Sequence, residues 1–181
     1  MRLRALKRAP SGAASLPGAL SHGVALLKQK VKADVAGEAL SLGAADRAAL
    51  ACILATIEAG YLAVAADGEV TEVELAALMG NVSMLLGGGL SREELAFVID
   101  EIEASIDGDG VPARLGEMTS ALDPEQRRRA FAFACVMSLC DGETADEELD
   151  VLGMMGESFG ISEDEANATF NQLADQIDEA L

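Results

Sequence analysis

The stretch that decides the fold is Ala65–Leu78, AADGEVTEVELAAL, which has a close counterpart at Leu139–Leu152, LCDGETADEELDVL. In each stretch an Asp-Gly pair directly follows a long apolar run, and an acidic segment with a Glu-Leu pair comes next. Glycine after an apolar run is typical of a helix end, and clustered acids are typical of a helix start. Each stretch therefore predicts two helices joined by a short acidic turn.

The two stretches belong to a longer internal repeat. Two copies are too few for a solenoid, so we expect the copies to pack on each other. The simplest arrangement is one all-α bundle of about seven helices, built from two related helical-hairpin halves at 46–106 and 123–181. The matched pairs include Asp67 with Asp141, Glu74 with Glu148, and Leu78 with Leu152.

Composition also favours helices over strands. Half of the 181 residues are hydrophobic, yet only 3% are aromatic, and tryptophan is absent. Alanine and leucine dominate, whereas alternating runs of β-branched and aromatic residues are missing. The length suits one core of ordinary size with an appended segment. We expect residues 1–45 to form a basic arm with an amphipathic helix at Leu20–Leu42, and residues 46–181 to form the helical domain.

Helix starts can be read from local patterns. A Ser or Thr followed three residues later by Glu predicts a capping box, and an Asp before an apolar run predicts an N-cap. A glycine cluster at Gly87–Gly89 and a glycine at Gly160 predict helix ends. The predicted starts are Asp46, Thr71 with Glu74, Ser91 with Glu94, Pro112, Asp123-Pro124, Thr144 with Glu147, and Ser162 with Glu165.

The charge of the chain is strongly asymmetric. Its formal net charge is −18, but residues 1–33 contain seven basic residues and no acid. The rest of the chain has six basic against 31 acidic residues, a formal charge of −25. Such a body repels nucleic-acid phosphates and attracts cations or basic partners. The basic arm, with Lys28, Lys30 and Lys32, could pack on the acidic body or contact a protein partner or an anionic membrane surface.

The expected location is the cytoplasm, and peripheral contact of the basic arm with the inner face of the membrane is an alternative. An odd number of cysteines, Cys52, Cys135 and Cys140, argues for a reducing compartment, where they serve as small apolar residues. The longest apolar run, Ala48–Ala66, approaches the length of a membrane span. Glu58 interrupts it and alanine is abundant, so we interpret it as a buried central helix.

The paired Asp-Gly turns raise the question of metal binding. Counted as EF-hand loops, they lack the first two acidic ligands, because Ala63 and Ala65 occupy those positions in the first copy. An Asp beside the free carbonyls of a helix end is unfavourable unless a cation is shared. One interpretation is therefore a hard-cation site formed by Asp67, Glu74, Asp141 and Glu148. The other is that these acids only cap helices and face solvent.

At these residues the chain resembles the TerB family of tellurite resistance proteins. The resemblance rests on AVAADGEVTEVELAAL and VMSLCDGETADEELDVL, with SIDGDGVPARLGEMTSALDPEQ between them, and extends over about residues 46–170. It implies an all-helical cytoplasmic domain with two related halves, acting in a bacterial stress-response or membrane-associated complex. The second copy departs from the first at Ala145, which stands where the first has Thr71.

The resemblance also implies acids that bind a divalent metal. They fall on Asp67, Glu74, Asp141 and Glu148, and Asp107 and Asp109 match the middle segment less securely. We expect Ca²⁺, with Mg²⁺ or Mn²⁺ as alternatives. The competing hypothesis is a scaffold without metal that recruits protein or membrane partners through its basic arm and acidic body. The sequence contains neither a nucleophile with a partnered base nor a glycine-rich phosphate loop. We therefore do not expect an enzyme.

Overall fold

The computed structural model describes residues 16–68, 70–140 and 145–179, and only the backbone at 16–21 and at 178. In this part of the chain eight α-helices are present and no strand is found. The all-α prediction is confirmed. The helices are α1 (Leu16–Ala36), α2 (Ala44–Val64), α3 (Glu72–Leu85), α4 (Arg92–Asp109), α5 (Val111–Ala121), α6 (Pro124–Ser138), α7 (Asp146–Phe159) and α8 (Glu163–Asp178).

Helix α2 forms the centre of the bundle. Every residue from Ile57 to Val64 is buried, so the second half of the helix is surrounded on all sides. Among the described helices, α2 alone has the length and apolar composition of a membrane span, but 61% of its most apolar stretch is buried by the protein itself. Such a helix is compatible with the core of a soluble protein.

Helices α2 and α6 pack against each other, and their chains run parallel. Gly60, in the second half of α2, lies against Phe133 and Met137, in the second half of α6. Cys52, in the first half of α2, lies within the electrostatic influence of Asp123, the N-cap of α6. Because both pairs are offset by a similar number of residues, the two helices run parallel, and their C-terminal ends lie at the same end of the bundle.

The two halves use matching positions for the core. Leu78 in α3 and Leu152 in α7 are both buried, as are Gly60 in α2 and Ala134 in α6, which stand 74 residues apart. Helix α3 contacts α6, and α7 contacts α2, so each hairpin packs across the central pair. The internal repeat therefore corresponds to a structural repeat.

Several predicted helix starts agree with the structure. Thr71, Ser91 and Asp123 are N-caps with reciprocal capping boxes. Ser162 also caps α8, through its hydroxyl and the Glu165 amide, 3.3 Å apart. Pro112, which was predicted to begin a helix, lies in the first turn of α5.

Two predicted starts are wrong in detail. Asp46 lies in the first turn of α2, not at its N-cap, which is Gly43. The carboxylate instead lies 2.8 Å from His22 Nε2, which holds α1 to the start of α2. Helix α7 begins one residue later than predicted, with Ala145 at the N-cap. The expected partner of Glu147, Thr144, lies outside the described residues.

Helix α1 belongs to the same core as the other helices. Val24, Leu27 and Val31 are buried against α2 and α4. The helix ends at Ala36, earlier than predicted, because Gly37 adopts a left-handed conformation with φ of 69°. On its polar side, the Lys30 ammonium pairs with Asp34 and, at 3.0 Å, with Glu101. At Lys30 the basic side of the helix therefore packs against the acidic body.

Candidate metal centre

The candidate centre lies where α2 and α6 end. The chain leaves α2 at Ala65 and turns at Gly68, whose φ of 87° is available to glycine at low cost. Asp67 lies exposed in this turn. The equivalent turn after α6 begins at Leu139 and Cys140. Its central residues, Asp141 to Thr144, lie outside the described part of the chain, and so does Glu69 in the first turn.

Glu74 closes the start of α3. Its Oε2 atom accepts hydrogen bonds from the Thr71 amide at 2.7 Å and from the Thr71 hydroxyl at 2.8 Å. The Glu74 amide in turn donates to the Thr71 hydroxyl oxygen at 3.2 Å. Glu74 therefore caps α3, as its spacing from Thr71 predicted. Within the described residues, the Oε1 atom of Glu74 accepts no hydrogen bond, so one oxygen of the carboxylate remains for another ligand.

Glu148 closes the start of α7 in a different way. Its Oε2 atom accepts from the Ala145 amide at 3.0 Å and from the Ser138 hydroxyl at 3.2 Å. Ala145 has no side-chain oxygen, so the Thr71 half of the capping box is missing here. Ser138, the fully buried last residue of α6, supplies the hydroxyl instead. The carboxylate of Glu148 therefore ties the start of α7 to the end of α6.

Asn81 of α3, in the first hairpin, contacts the C-terminal end of α6. Its Nδ2 atom lies 3.2 Å from Cys140 Sγ and 3.5 Å from Met137 Sδ, both at the end of α6. Asn81 is buried in α3, the helix that Glu74 begins. The first hairpin thus packs on the end of α6, from which the second Asp-Gly turn emerges.

The described residues do not by themselves complete a metal site. Within residues 16–68, 70–140 and 145–179, no group of three or more His, Cys, Asp and Glu side chains is placed to hold one ion. The donor chemistry of Asp67, Glu74 and Glu148 suits a hard cation, which prefers carboxylate and carbonyl oxygens. A complete coordination shell would also need donors from Asp141 and its neighbours, which are not described.

The middle acids take another role. Asp109, the last residue of α4, has its Oδ2 atom 3.6 Å from Arg114 Nη1. Arg114 also donates to Glu117 Oε2 at 2.7 Å. Asp109 therefore takes part in an ion-pair network around Arg114, and Asp107 is exposed on the same helix.

The centre of that network is an ion pair that the sequence did not reveal. Glu58, 3% exposed in the apolar α2, accepts from Arg114 Nε at 2.7 Å and from Nη2 at 3.0 Å. The hydrogen bonds to Glu58 raise the pKa of Arg114 above its ordinary value. A single carboxylate in an apolar helix needs a buried partner, which is the signal that could have predicted a cation opposite Glu58.

The cysteines are packed as apolar residues to different degrees. Cys135 is fully buried in α6, and burial raises the pKa of its thiol to about 12. Cys52 is half-buried, and burial also raises the pKa of its thiol. Both thiols are therefore protonated at neutral pH, which suits packing and not metal binding.

Comparison with known proteins agrees with the helical architecture. The sequence model of one family, described as tellurite resistance protein TerB, matches residues 53–171. This range covers α6, α7 and the hairpin of α3 and α4, and includes both Asp-Gly turns. No curated protein and no solved structure matches the chain at a significant level. Since the matched range spans well over half of the chain, this protein belongs to the TerB family.

Proposed function

We propose that this TerB-family chain is a binding module that takes up a divalent cation, Ca²⁺ in the first place, with Mg²⁺ or Mn²⁺ as alternatives. The ligands would be Asp67, Glu74, Asp141 and Glu148. The single observation that carries the proposal is the parallel packing of α2 and α6, because each helix is followed by an Asp-Gly pair and an acidic helix start. Carboxylates gathered at one end of a bundle repel each other unless a cation neutralises them.

The cap at Glu74 is compatible with this role. A carboxylate that caps a helix through one oxygen can offer its second oxygen to a cation. Glu74 uses Oε2 in this way, with 2.7 Å to the Thr71 amide. In this proposal the capping hydrogen bonds hold the carboxylate in position before the cation arrives, which lowers the entropic cost of binding.

The test is a metal titration of the whole chain. We expect Ca²⁺ to raise the melting temperature and to give saturable heat in calorimetry, because a ligand that binds only the folded state stabilises it. The double variant Asp67→Asn/Asp141→Asn should lose both effects. A wild-type protein that shows neither heat above dilution nor a shift in melting temperature with Ca²⁺, Mg²⁺ or Mn²⁺ would contradict the proposal.

A matched control removes the same charge elsewhere. Glu157→Gln/Asp175→Asn alters two exposed carboxylates on α7 and α8 that make no ion pair within the described residues. We expect this variant to bind the cation like the wild type. If it loses binding to the same extent as Asp67→Asn/Asp141→Asn, the effect comes from overall charge and not from a defined site.

The module would act in the cytoplasm within a bacterial stress-response assembly of the tellurite-resistance type. Support for this setting comes from membership of the TerB family and from the three cysteines, which suit a reducing compartment. We propose a binding protein and not an enzyme, because the sequence provides no nucleophile with a partnered base.

A second candidate function is a scaffold that binds no metal. The observation that favours it is the charge division, with seven basic residues before residue 34 and a formal charge of −25 after it. Its basic arm would contact an anionic membrane surface or an acidic protein. Removing residues 1–15 deletes four basic residues and leaves the buried part of α1 in place.

The scaffold is tested by flotation with vesicles of phosphatidylglycerol and phosphatidylethanolamine. We expect the full chain to bind and the chain without residues 1–15 to be lost from the vesicle fraction, with no effect of Ca²⁺ on either. Equal flotation of both proteins, or no flotation of the full chain, would argue against contact with a membrane through the arm.

A further inference from the structure

The outer face of α3 is apolar and uncovered in the described structure. Val73 is 75% exposed and Met84 is 51% exposed, although both are large hydrophobic side chains. Ala76 and Gly80 are exposed between them. The spacing of these four residues places them along one side of the helix, which we call the α3 face.

The fold does not require this face to be apolar. In the internal repeat, Val73 corresponds to Glu147 of α7 and Ala76 to Asp150. Gly80 corresponds to Met154, which is 42% exposed, and Met84 to Ser158, which is half-buried. Glu147 and Asp150 are exposed, so the same position in the bundle accepts charged residues in the second half. The fold therefore does not require Val73 and Ala76 to be apolar, and their exposure is typical of a surface that contacts another molecule.

Beside the α3 face runs a shallow groove between α3 and α4, with a volume of about 220 Å³. Its walls include Met79, Leu95 and Arg92. A Cβ atom on Gly80 would meet no heavy atom within 4 Å, so the middle of the face is open to close approach by another backbone. The α3 face and this groove together form a continuous surface.

Charge is arranged along this surface with opposite signs at its two ends. Glu72, exposed, lies in the first turn of α3. Arg92 begins α4 after the short connection from α3, so it lies beside the C-terminal half of α3, where it shares the groove with Ser83. Within the described residues neither Glu72 nor Arg92 forms an ion pair.

We propose that the α3 face binds the α3 face of a second copy of this chain, with the two α3 helices antiparallel. This arrangement places Val73 against the partner's Met84 and brings the two Gly80 regions together at the centre. It also brings Glu72 to the level of the partner's Arg92. The surface is thus complementary to itself in both shape and charge, as a twofold interface requires.

The contact is small, and the dimer is correspondingly weak. Helix α3 has 14 residues and is about 21 Å long, so the interface falls at the low end of specific interfaces, below about 1,200 Å² in total. We expect an equilibrium between monomer and dimer that depends on protein concentration. This inference does not depend on metal binding, although Glu72 and Val73 directly precede Glu74 in the first turn of α3.

Sedimentation velocity on the full chain, from low micromolar to near-millimolar concentration, tests the proposal. The average mass should rise from 18.7 kDa toward twice that value. Val73→Glu/Met84→Ser, which gives α3 the residues that α7 has at the matching positions, should weaken association at least about tenfold. A mass of one chain at every concentration, or unchanged association of this variant, would overturn the proposal.

Two further variants distinguish a specific interface from general stickiness. Met154→Glu alters an exposed hydrophobic residue of α7 and should leave association unchanged. Arg92→Glu and Glu72→Arg should each weaken association, and the double variant Arg92→Glu/Glu72→Arg should restore it, because the pairing is reversed as a unit. If Met154→Glu weakens association equally, or if the double variant associates more weakly than both single variants, the antiparallel arrangement is contradicted.

Discussion

Two glycines show how the packing around a single residue decides its effect. At Gly60 in α2, an added Cβ would lie 2.5 Å from Phe133 Cε1 and 2.9 Å from Cδ1. At Gly153 in α7, an added Cβ would meet no heavy atom within 4 Å. Both residues lie inside helices, so the sequence alone predicts the same gain in helix propensity from alanine at either position.

We expect the two substitutions to have opposite signs. Gly60→Ala should lower the free energy of unfolding by about 1–2 kcal/mol, because overpacking against Phe133 exceeds the gain in helix propensity. Gly153→Ala should raise it by about 0.5–1 kcal/mol. Urea denaturation of both variants measures the difference. A stabilised Gly60→Ala would mean that α2 and α6 are farther apart than described.

The acids of the candidate metal centre show which contacts of a single residue can be predicted from the sequence and which cannot. The role of Glu74 as a cap followed from Thr71 three residues before it, because a capping box depends on local geometry only. The partner of Glu148, Ser138, could not be found in that way. Ser138 lies ten residues earlier, on the preceding helix, and its hydroxyl reaches Glu148 only through the packing of α7 on α6.

Among the elements, α2 and α5 are joined by the buried Glu58–Arg114 pair. Removing the Arg114 guanidinium alone leaves the Glu58 carboxylate buried without a partner, which is strongly destabilising. Arg114→Met should therefore lower the free energy of unfolding by about 3–5 kcal/mol. The double variant Glu58→Leu/Arg114→Met removes both charges and should recover most of that loss, because no buried charge remains.

At the scale of the whole molecule, α1 is the element whose place the sequence left open. The family match begins at residue 53, after α1, and the basic composition of the first 33 residues favours an appended arm. The structure instead buries Val24, Leu26, Leu27 and Val31 in the common core. Burial of each such side chain stabilises by about 1.5–3 kcal/mol, so α1 contributes a large share of a typical domain's stability.

Two truncations test this contribution. A chain that starts at residue 16 keeps α1 and should melt within a few degrees of the full chain. A chain that starts at residue 38 loses α1 and exposes Leu50 and Ile53 of α2, so it should be unfolded or aggregated at room temperature. Circular dichroism and thermal melting measure both. A native melting temperature for the shorter chain would show that α1 is dispensable.

The sequence by itself determined the helical class, the internal repeat and most of the helix starts. Those features depend on hydrogen bonds and side-chain spacing within a few residues, as at Thr71 with Glu74 and Ser91 with Glu94. It also placed the two Asp-Gly turns at equivalent points of the two halves.

Only the tertiary structure decided which distant groups meet. Glu58 and Arg114 are 56 residues apart, and Lys30 and Glu101 are 71 residues apart, yet both pairs lie within hydrogen-bonding distance. The parallel packing of α2 and α6 was likewise decided only by the tertiary structure, because the close approach at Gly60 depends on how both halves fill one core. Local patterns carry no information about such contacts, since the burial that makes them favourable exists only once the bundle has closed.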